Sequence, residues 1–149
     1  SMAIQTDGKI VVGGSAANDY LVARFNADGT IDTSFGTAGR VITDIASGND
    51  TGRSLALQSD GKIVIAGQAF NGTLDFGVAR YNANGTLDTT FGTGGRATID
   101  FGTSIDQAYA VDVQSDGRIV VTGFTNVNGT TDVAVARLTS SGSLDTTFN

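Results

Sequence analysis

The sequence predicts an all-β fold built from repeated four-stranded antiparallel units. Three observations predict it: a threefold internal repeat, Asp-Gly turns set between apolar runs, and the absence of sustained 3.6-residue periodicity. The motif QTDG at Gln5–Gly8 returns as QSDG at Gln58–Gly61 and at Gln114–Gly117. A longer block, VARFNADGTIDTSF from Val22, returns from Val78 and from Val135. A period of about 55 residues is that of one supersecondary unit stacked several times. The apolar runs do not alternate, as in Ile63-Val64-Ile65-Ala66 and Gly77-Val78-Ala79, which means burial on both faces. An antiparallel sheet buried on both faces is sandwiched between copies of itself, and that is how propeller blades pack around an axis.

The middle copy shows the elements in order. Ser54–Gln58 opens it as a short strand of small and apolar residues. Ser59-Asp60-Gly61 turns the chain, because Gly takes a positive φ without a Cβ clash. Lys62–Gly67 is the second strand, and a loop of Asn, Gly and Thr leads to the third, Asp75–Asn82. Ala83-Asn84-Gly85 then turns into a fourth segment, whose strand is either Leu87–Phe91 or Arg96–Phe101. Small residues such as Ala56 and Ala110 in the first strand suit a crowded inner edge.

The copies occupy approximately residues 3–55, 56–111 and 112–149 of a single repeat domain, 1–149, and the first and last are incomplete. The first begins short of a full inner strand, and the third lacks a counterpart of Gly39–Asp44 or Gly95–Asp100. About three blades fall short of the roughly 4 to 8 that close a propeller. A homodimer that joins head to tail into a six-bladed ring is therefore the expected assembly, with an arc cut from a longer array as the alternative. A β-trefoil or β-prism lectin has a similar size, but continuous apolar strands fit stacked sheets better.

Composition removes most chemistry. The 149 residues include no Cys, His, Trp or Pro, and all fifteen acids are Asp. Hydrophobic content of 40% with 16% charge is that of a globular body. Without Cys there is no thiolate metal site and no disulfide framework. The apolar runs are far shorter than the roughly 20 residues of a membrane-spanning helix, so no membrane insertion is expected. Ser1 before Met2 reads as a remnant of tag cleavage, which leaves an upstream export signal open. Net charge is −6, and every basic residue except Arg53 sits at a repeat-equivalent position. No basic stripe exists beyond the repeat, which argues against nucleic acid as a partner.

Four groups of residues are candidates for a role. Asn26–Asp32 resembles a calcium loop, but Arg24 and Phe35 stand where its first and twelfth ligands belong, so it reads as a hairpin turn and no metal is expected. Arg24, Arg80 and Arg137 each precede an acid by eight residues, Asp32, Asp88 and Asp145. Arg can fork two hydrogen bonds onto a carboxylate, so these are expected structural pairs, with an anion-binding ring of Arg as the alternative. Asp19, Asp75 and Asp132 open the third strand after the one loop that varies in length: Ser15–Asn18, Gln68–Leu74 and Phe124–Thr131. Variable loops on one face of an array are a usual binding surface, and with Phe70 and Phe124 nearby these acids offer what a sugar needs. The bland reading is that Asp caps a turn and the aromatics are core. Finally, Asn71, Asn84 and Asn128 head Asn-Gly-Thr triplets, which are Asn-Gly turns first.

The repeats resemble the bacterial delta-60 repeat family, through Lys62–Gly67, Val78–Asp88 and Phe91–Arg96. The resemblance covers nearly the whole chain and implies a β-propeller repeat domain of unknown function, in an extracellular or cell-surface setting. The residues lead to a non-catalytic structural or protein-interaction scaffold without cofactor, with carbohydrate binding by the loops before Asp19, Asp75 and Asp132 as the alternative. A protein or a glycan is the expected ligand class. A hydrolase built on paired Asp is disfavoured, since every prominent Asp has an equivalent in another copy.

Overall fold

Each Asp-Gly turn reverses the chain into an antiparallel hairpin, and the hairpins assemble into stacked blades. The computed structural model describes residues 1–102, 105–127 and 129–148. The strands are β1 (Met2–Ile4), β2 (Ile10–Ala16), β3 (Asp19–Phe25), β4 (Arg40–Thr43), β5 (Thr51–Leu57), β6 (Ile63–Phe70), β7 (Leu74–Tyr81), β8 (Arg96–Ile99), β9 (Ile105–Val113), β10 (Ile119–Val127) and β11 (Thr130–Leu138). Among the described residues there is no helix, and so none long and apolar enough to cross a membrane.

Strands β1-β2-β3-β4 form the first blade, β5-β6-β7-β8 the second and β9-β10-β11 the third, each antiparallel throughout. A single parallel bridge, Leu74 to Ile105, joins the second and third blades into one sheet. The blades begin at β5 and β9, several residues before the boundaries read from the repeat. Both inner strands run back past the expected start, β5 across a register shift between Gly52 and Ser54.

Of the two alternatives for the fourth strand, the structure takes Arg96–Ile99. Leu87 makes one isolated bridge to Tyr81, and the chain then folds into a corner in which the Phe91 amide donates to the Asp88 carbonyl at 3.0 Å. The expected variable loops are also different: they are mostly strand. The extra residues lengthen the hairpin arms, which hold 7 residues in β2, 8 in β6 and 9 in β10. Pairing satisfies their backbone groups, which a loop would leave to water. Ala17 and Asn18 close the first hairpin with φ of 53° and 69°, the left-handed pair that matches strand twist. Asn84 lies in the turn that follows β7, Asn71 lies in the turn between β6 and β7, and Asn128 lies outside the described residues.

The core lies between blades. In the first interface Val11, Tyr20, Val22 and Phe35 meet Leu55, Ile63, Ile65 and Tyr81. In the second, Val64, Phe76, Val78 and Phe91 meet Val111, Ile119, Val121 and Leu138. Burial of each such side chain contributes about 1.5–3 kcal/mol, so blade stacking outweighs any single hydrogen bond. The middle blade is accordingly buried along both faces of β6 and β7, whereas β3, with one face open, alternates. Hydrogen bonds fix the stacking register: the Tyr20 hydroxyl donates to the Gly77 carbonyl at 3.0 Å, and the Tyr81 hydroxyl to Thr43 Oγ1 at 2.7 Å. Along the inner edge, the Leu55 amide donates to Ser1 Oγ and the Val111 amide to Ser54 Oγ, both at 3.2 Å.

The stacking requires glycine at the seat of each Phe, Gly85 for Phe35 and Gly142 for Phe91. Gly85 has φ of +90°, and a Cβ there would lie 2.8 Å from the Gly36 nitrogen and 3.0 Å from the Phe35 ring of the preceding blade. Gly85→Ala is expected to lower stability by at least about 1–2 kcal/mol, the cost of a left-handed alanine alone, with the clash added. Urea unfolding measures it, and an unchanged midpoint would show that the contact is not close.

Candidate functional site

Arg24, Arg80 and Arg137 occupy the third strand of each blade, and each reaches the acid eight residues on. Arg24 Nε donates to Asp32 Oδ2 at 2.8 Å, Arg80 Nε to Asp88 Oδ2 at 2.9 Å and Arg137 Nε to Asp145 Oδ2 at 2.9 Å. The other carboxylate oxygen accepts from the hydroxyl two residues later: Ser34 at 2.5 Å, Thr90 at 2.6 Å and Thr147 at 2.6 Å. Each guanidinium also lies over a Phe ring, 4.7 Å from Phe35, 4.6 Å from Phe91 and 4.5 Å from Phe148. The third contact crosses between blades. Arg24 Nη1 donates to the Ala83 carbonyl and Arg80 Nη1 to the Ser140 carbonyl, both at 2.6 Å. The three Arg are thus held one per blade in separate clusters, which leaves no ring of free guanidinium groups among them.

Repeat-equivalent bases add to two of the three clusters: Lys9 Nζ lies 3.2 Å from Asp32 and Arg118 Nε 3.2 Å from Asp145. The Ser34 hydroxyl, then Lys9 and Arg24 against the pull of burial, hold the Asp32 carboxyl well below the usual range. Hydrogen bonds from the Thr147 hydroxyl and amide, with Arg137, bring Asp145 down to about 2. Burial pushes Asp88 up, but Thr90 and Arg80 outweigh it and the carboxyl is lowered. Next to this side of the molecule, a groove of about 830 Å3 runs between the turns of the second and third copies, lined by Asp60, Lys62, Arg80 and Asp116.

Asp19 opens β3, whereas Asp75 is the second residue of β7 and Asp132 the third of β11, one per blade, so they do not converge on one another. The structure instead gathers Asp19 with Asp44 and Asp50, and Asp75 with Asp100 and Asp106, carboxylate oxygens within 4.8 Å of one another. The blade-to-blade crossovers bring these acids in: Asp44 and Asp100 follow the outer strand, and Asp50 and Asp106 lead into the next inner strand. Their identical spacing in the two copies is the signal that could have found them. Three carboxylates form an oxygen-only donor set of the kind that suits a hard cation. Asp50 already has local duties, since it accepts from the Ile45 and Ala46 amides at 2.6 and 3.1 Å and from the Phe70 amide at 2.9 Å. Asp106 Oδ2 accepts from the Phe101 amide at 2.8 Å. Burial, then Asp100, raises the Asp75 carboxyl against the hydrogen bonds of Thr73 and Asn71. Burial, Asp44 and Asp50 raise Asp19.

Of the two aromatic candidates, Phe70 packs over Gly48 in the crossover between the first two blades. Phe124 stacks on Tyr109 with centroids 5.7 Å apart. Tyr109 is half exposed, and the Arg53 guanidinium lies over its ring, 4.6 Å from the centroid. Arg53 Nη2 donates to Gln68 Oε1 at 2.9 Å and to Gln107 Oε1 at 3.1 Å. This cluster of Arg53, Gln68, Gln107, Tyr109 and Phe124 spans the second and third blades and is not repeated. In the sequence Phe124 stands out as a candidate aromatic and Arg53 as the one basic residue outside the repeat.

Stacked antiparallel blades with one Arg-Asp-Phe cluster each define a propeller-type repeat protein. The chain belongs to the family described as "Domain of unknown function (DUF5122) beta-propeller", which matches residues 5–35, 58–91 and 114–148. Each matched stretch runs from the Gln of the first turn to the Phe beneath the guanidinium. A search of curated proteins finds no match.

Two predictions follow from these electrostatics. Arg80→Lys keeps the charge but cannot bond Asp88 and the Ser140 carbonyl from one planar fork, so a loss of about 1.5–3 kcal/mol in urea unfolding is expected. The second concerns pH. Asp19 and Asp75 bind a proton more readily folded than unfolded, so their protonation should raise stability as pH falls from neutral through their raised pKa values. Asp145 and Asp88 act oppositely: their contribution is present above the ordinary value of 3.8 and is lost as pH falls below it, through about 2 for Asp145. Thermal midpoints should therefore pass through a maximum in mildly acidic buffer, and Asp75→Asn should flatten the rising limb. A midpoint that falls steadily from neutral pH would contradict the raised values.

Proposed function

We propose that the chain is a non-catalytic scaffold, a rigid set of blades that presents a surface to a protein partner. One observation carries the reading: the Arg and Asp residues with the greatest chemical capacity are tied to one another in the same way in each copy, and Arg24 and Arg80 are tied to the next blade as well. Catalytic groups are perturbed titratable groups set in a cleft, whereas the Arg and Asp of the recurrent clusters are engaged with one another. The resemblance of the repeats to the delta-60 family supports a bacterial protein placed outside the cell or on its surface.

A second reading, carbohydrate recognition, draws on the non-repeated cluster of Arg53, Gln68, Gln107, Tyr109 and Phe124. An exposed aromatic platform beside amide and guanidinium groups is a common way to hold a sugar, apolar face against ring and hydroxyls against polar groups. This moves the lectin alternative from the acids of the hairpin ends to the inner strands.

A glycan array separates the two. Silence with the wild-type chain supports the protein scaffold. Reproducible binding that Tyr109→Ala abolishes and Asp132→Ala spares would replace it with sugar recognition through the aromatic cluster. Release of new reducing ends from any arrayed glycan would overturn the non-catalytic reading itself.

A further inference from the structure

The contacts that bind each blade to the next have an unused donor half on the third blade and an unused acceptor half on the first. On the donor side, Phe35 and Phe91 are fully buried because each seats against a glycine of the following blade, Gly85 and Gly142. Phe148 is the third member of that series and is 36% exposed. Arg24 and Arg80 each give Nη1 to a carbonyl of the following turn, Ala83 and Ser140. Among the described residues Arg137 reaches only its own Asp145 and Phe148.

The acceptor side is on the first blade. Gly29 is the equivalent of Gly85 and Gly142, and a Cβ there would meet nothing within 4 Å, whereas at the other two it would strike a Phe ring. The Ala27 carbonyl stands where Ala83 and Ser140 accept from Arg. The apolar faces match in the same way. Leu55, Leu57 and Ile65 of the second blade pack against the first, and their equivalents Met2, Ile4 and Val12 are 59%, 62% and 37% exposed. Phe76 and Val78 are fully buried against the third blade, and their equivalents Val133 and Val135 are 84% and 43% exposed.

We propose that the third blade of one chain docks on the first blade of a second copy, with Phe148 seated on Gly29 and Arg137 bonded to the Ala27 carbonyl, in continuation of the contacts inside the chain. The occupant is a second copy because each exposed half has its complement on the same molecule, at the position the repeat assigns. A head-to-tail contact of this kind either closes or polymerises. Two copies of three blades give six, within the range that closes a propeller, whereas three copies give nine and exceed it. The ring would hold two identical contacts related by a twofold axis.

One residue departs from equivalence and supplies a test. Asp112 stands in the third blade where Ala3 and Ala56 pack into the blade interfaces. It shares the docking face with Val120 and Arg137, through the register Val120 to Asp112 and Val120 to Arg137. A carboxylate there weakens the contact relative to the internal ones.

Light scattering of the wild-type chain at tens of micromolar should give twice the mass of one chain. Ile4→Asp disables only the acceptor face and Val133→Asp only the donor face. Each alone should be monomeric with an unchanged circular dichroism spectrum. An equimolar mixture of the two should associate again, more weakly than wild type because one contact of the two survives. Asp112→Ala should tighten the wild-type dimer at least several-fold. A monomeric wild-type chain overturns the proposal. A dimer whose two variants fail to complement overturns the head-to-tail arrangement. The ring rests on the scaffold reading only as its setting: a monomer that still binds a partner sinks the ring alone, and a ring that turns over a substrate sinks the scaffold alone.

Discussion

The structure depends on one guanidinium per blade. Arg24 and Arg80 each satisfy three demands at once, binding an Asp of their own copy, covering a Phe and giving a hydrogen bond to the next blade. The planar fork makes this feasible, because its donors point in different directions from one rigid plane. Without the carboxylate the buried charge would be uncompensated, and without the Phe the side chain would be free to leave the turn. Geometry inside a blade is thereby coupled to the stacking between blades, and a fault in the first cannot be isolated from the second.

This coupling explains why a chain with little aromatic content and no disulfide can be built this way. No single sheet encloses a core of its own. Each apolar cluster exists only where two sheets meet, so the three blades have two cores and leave two faces open. Stability in such an array is a sum of blade terms and nearest-neighbour terms. In the middle blade, with two neighbours, β6 and β7 have no alternation left in their burial, and β3 of the first blade keeps it. The polar ties are placed to set register rather than to supply most of the energy. The Tyr20 and Tyr81 hydroxyls lie inside the first interface and would each be left without a partner by a slip of one residue.

What the sequence made legible was whatever is local and repeated. The Asp-Gly turns, the continuous apolar strands and the spacing from Arg24 to Asp32 can be read because one short segment contains all the parts. The corner after Leu87 was ambiguous, since Leu87–Phe91 has as much strand character as Arg96–Ile99. The bond from Asp88 to Arg80 decides it, by drawing the first candidate out of the ladder. The hairpin arms were read as loops because Asn, Thr and Gly are turn formers by propensity, and cross-strand pairing overrode that preference in β6, β7, β10 and β11. The acid groups are marked in the sequence only by their matched spacing in two copies, for another reason. Asp75, Asp100 and Asp106 come together only through a crossover between blades, and no local pattern encodes where that crossover returns.

The same logic says where an activity of this fold is to be sought. A residue present in every copy is constrained by the blade, since the same contact must be made each time. A residue found once is free of that duty. Arg53 is the only basic residue outside the repeat, and it lies on Tyr109, which occupies the equivalent position in the next inner strand. The bulge in β5 falls at Arg53, and a bulge re-aims a side chain that regular pairing would hold in the sheet. Repetition therefore accounts for the clusters that hold the blades together, and the break in repetition at Arg53, Tyr109 and Phe124 marks a surface that blade packing alone does not require.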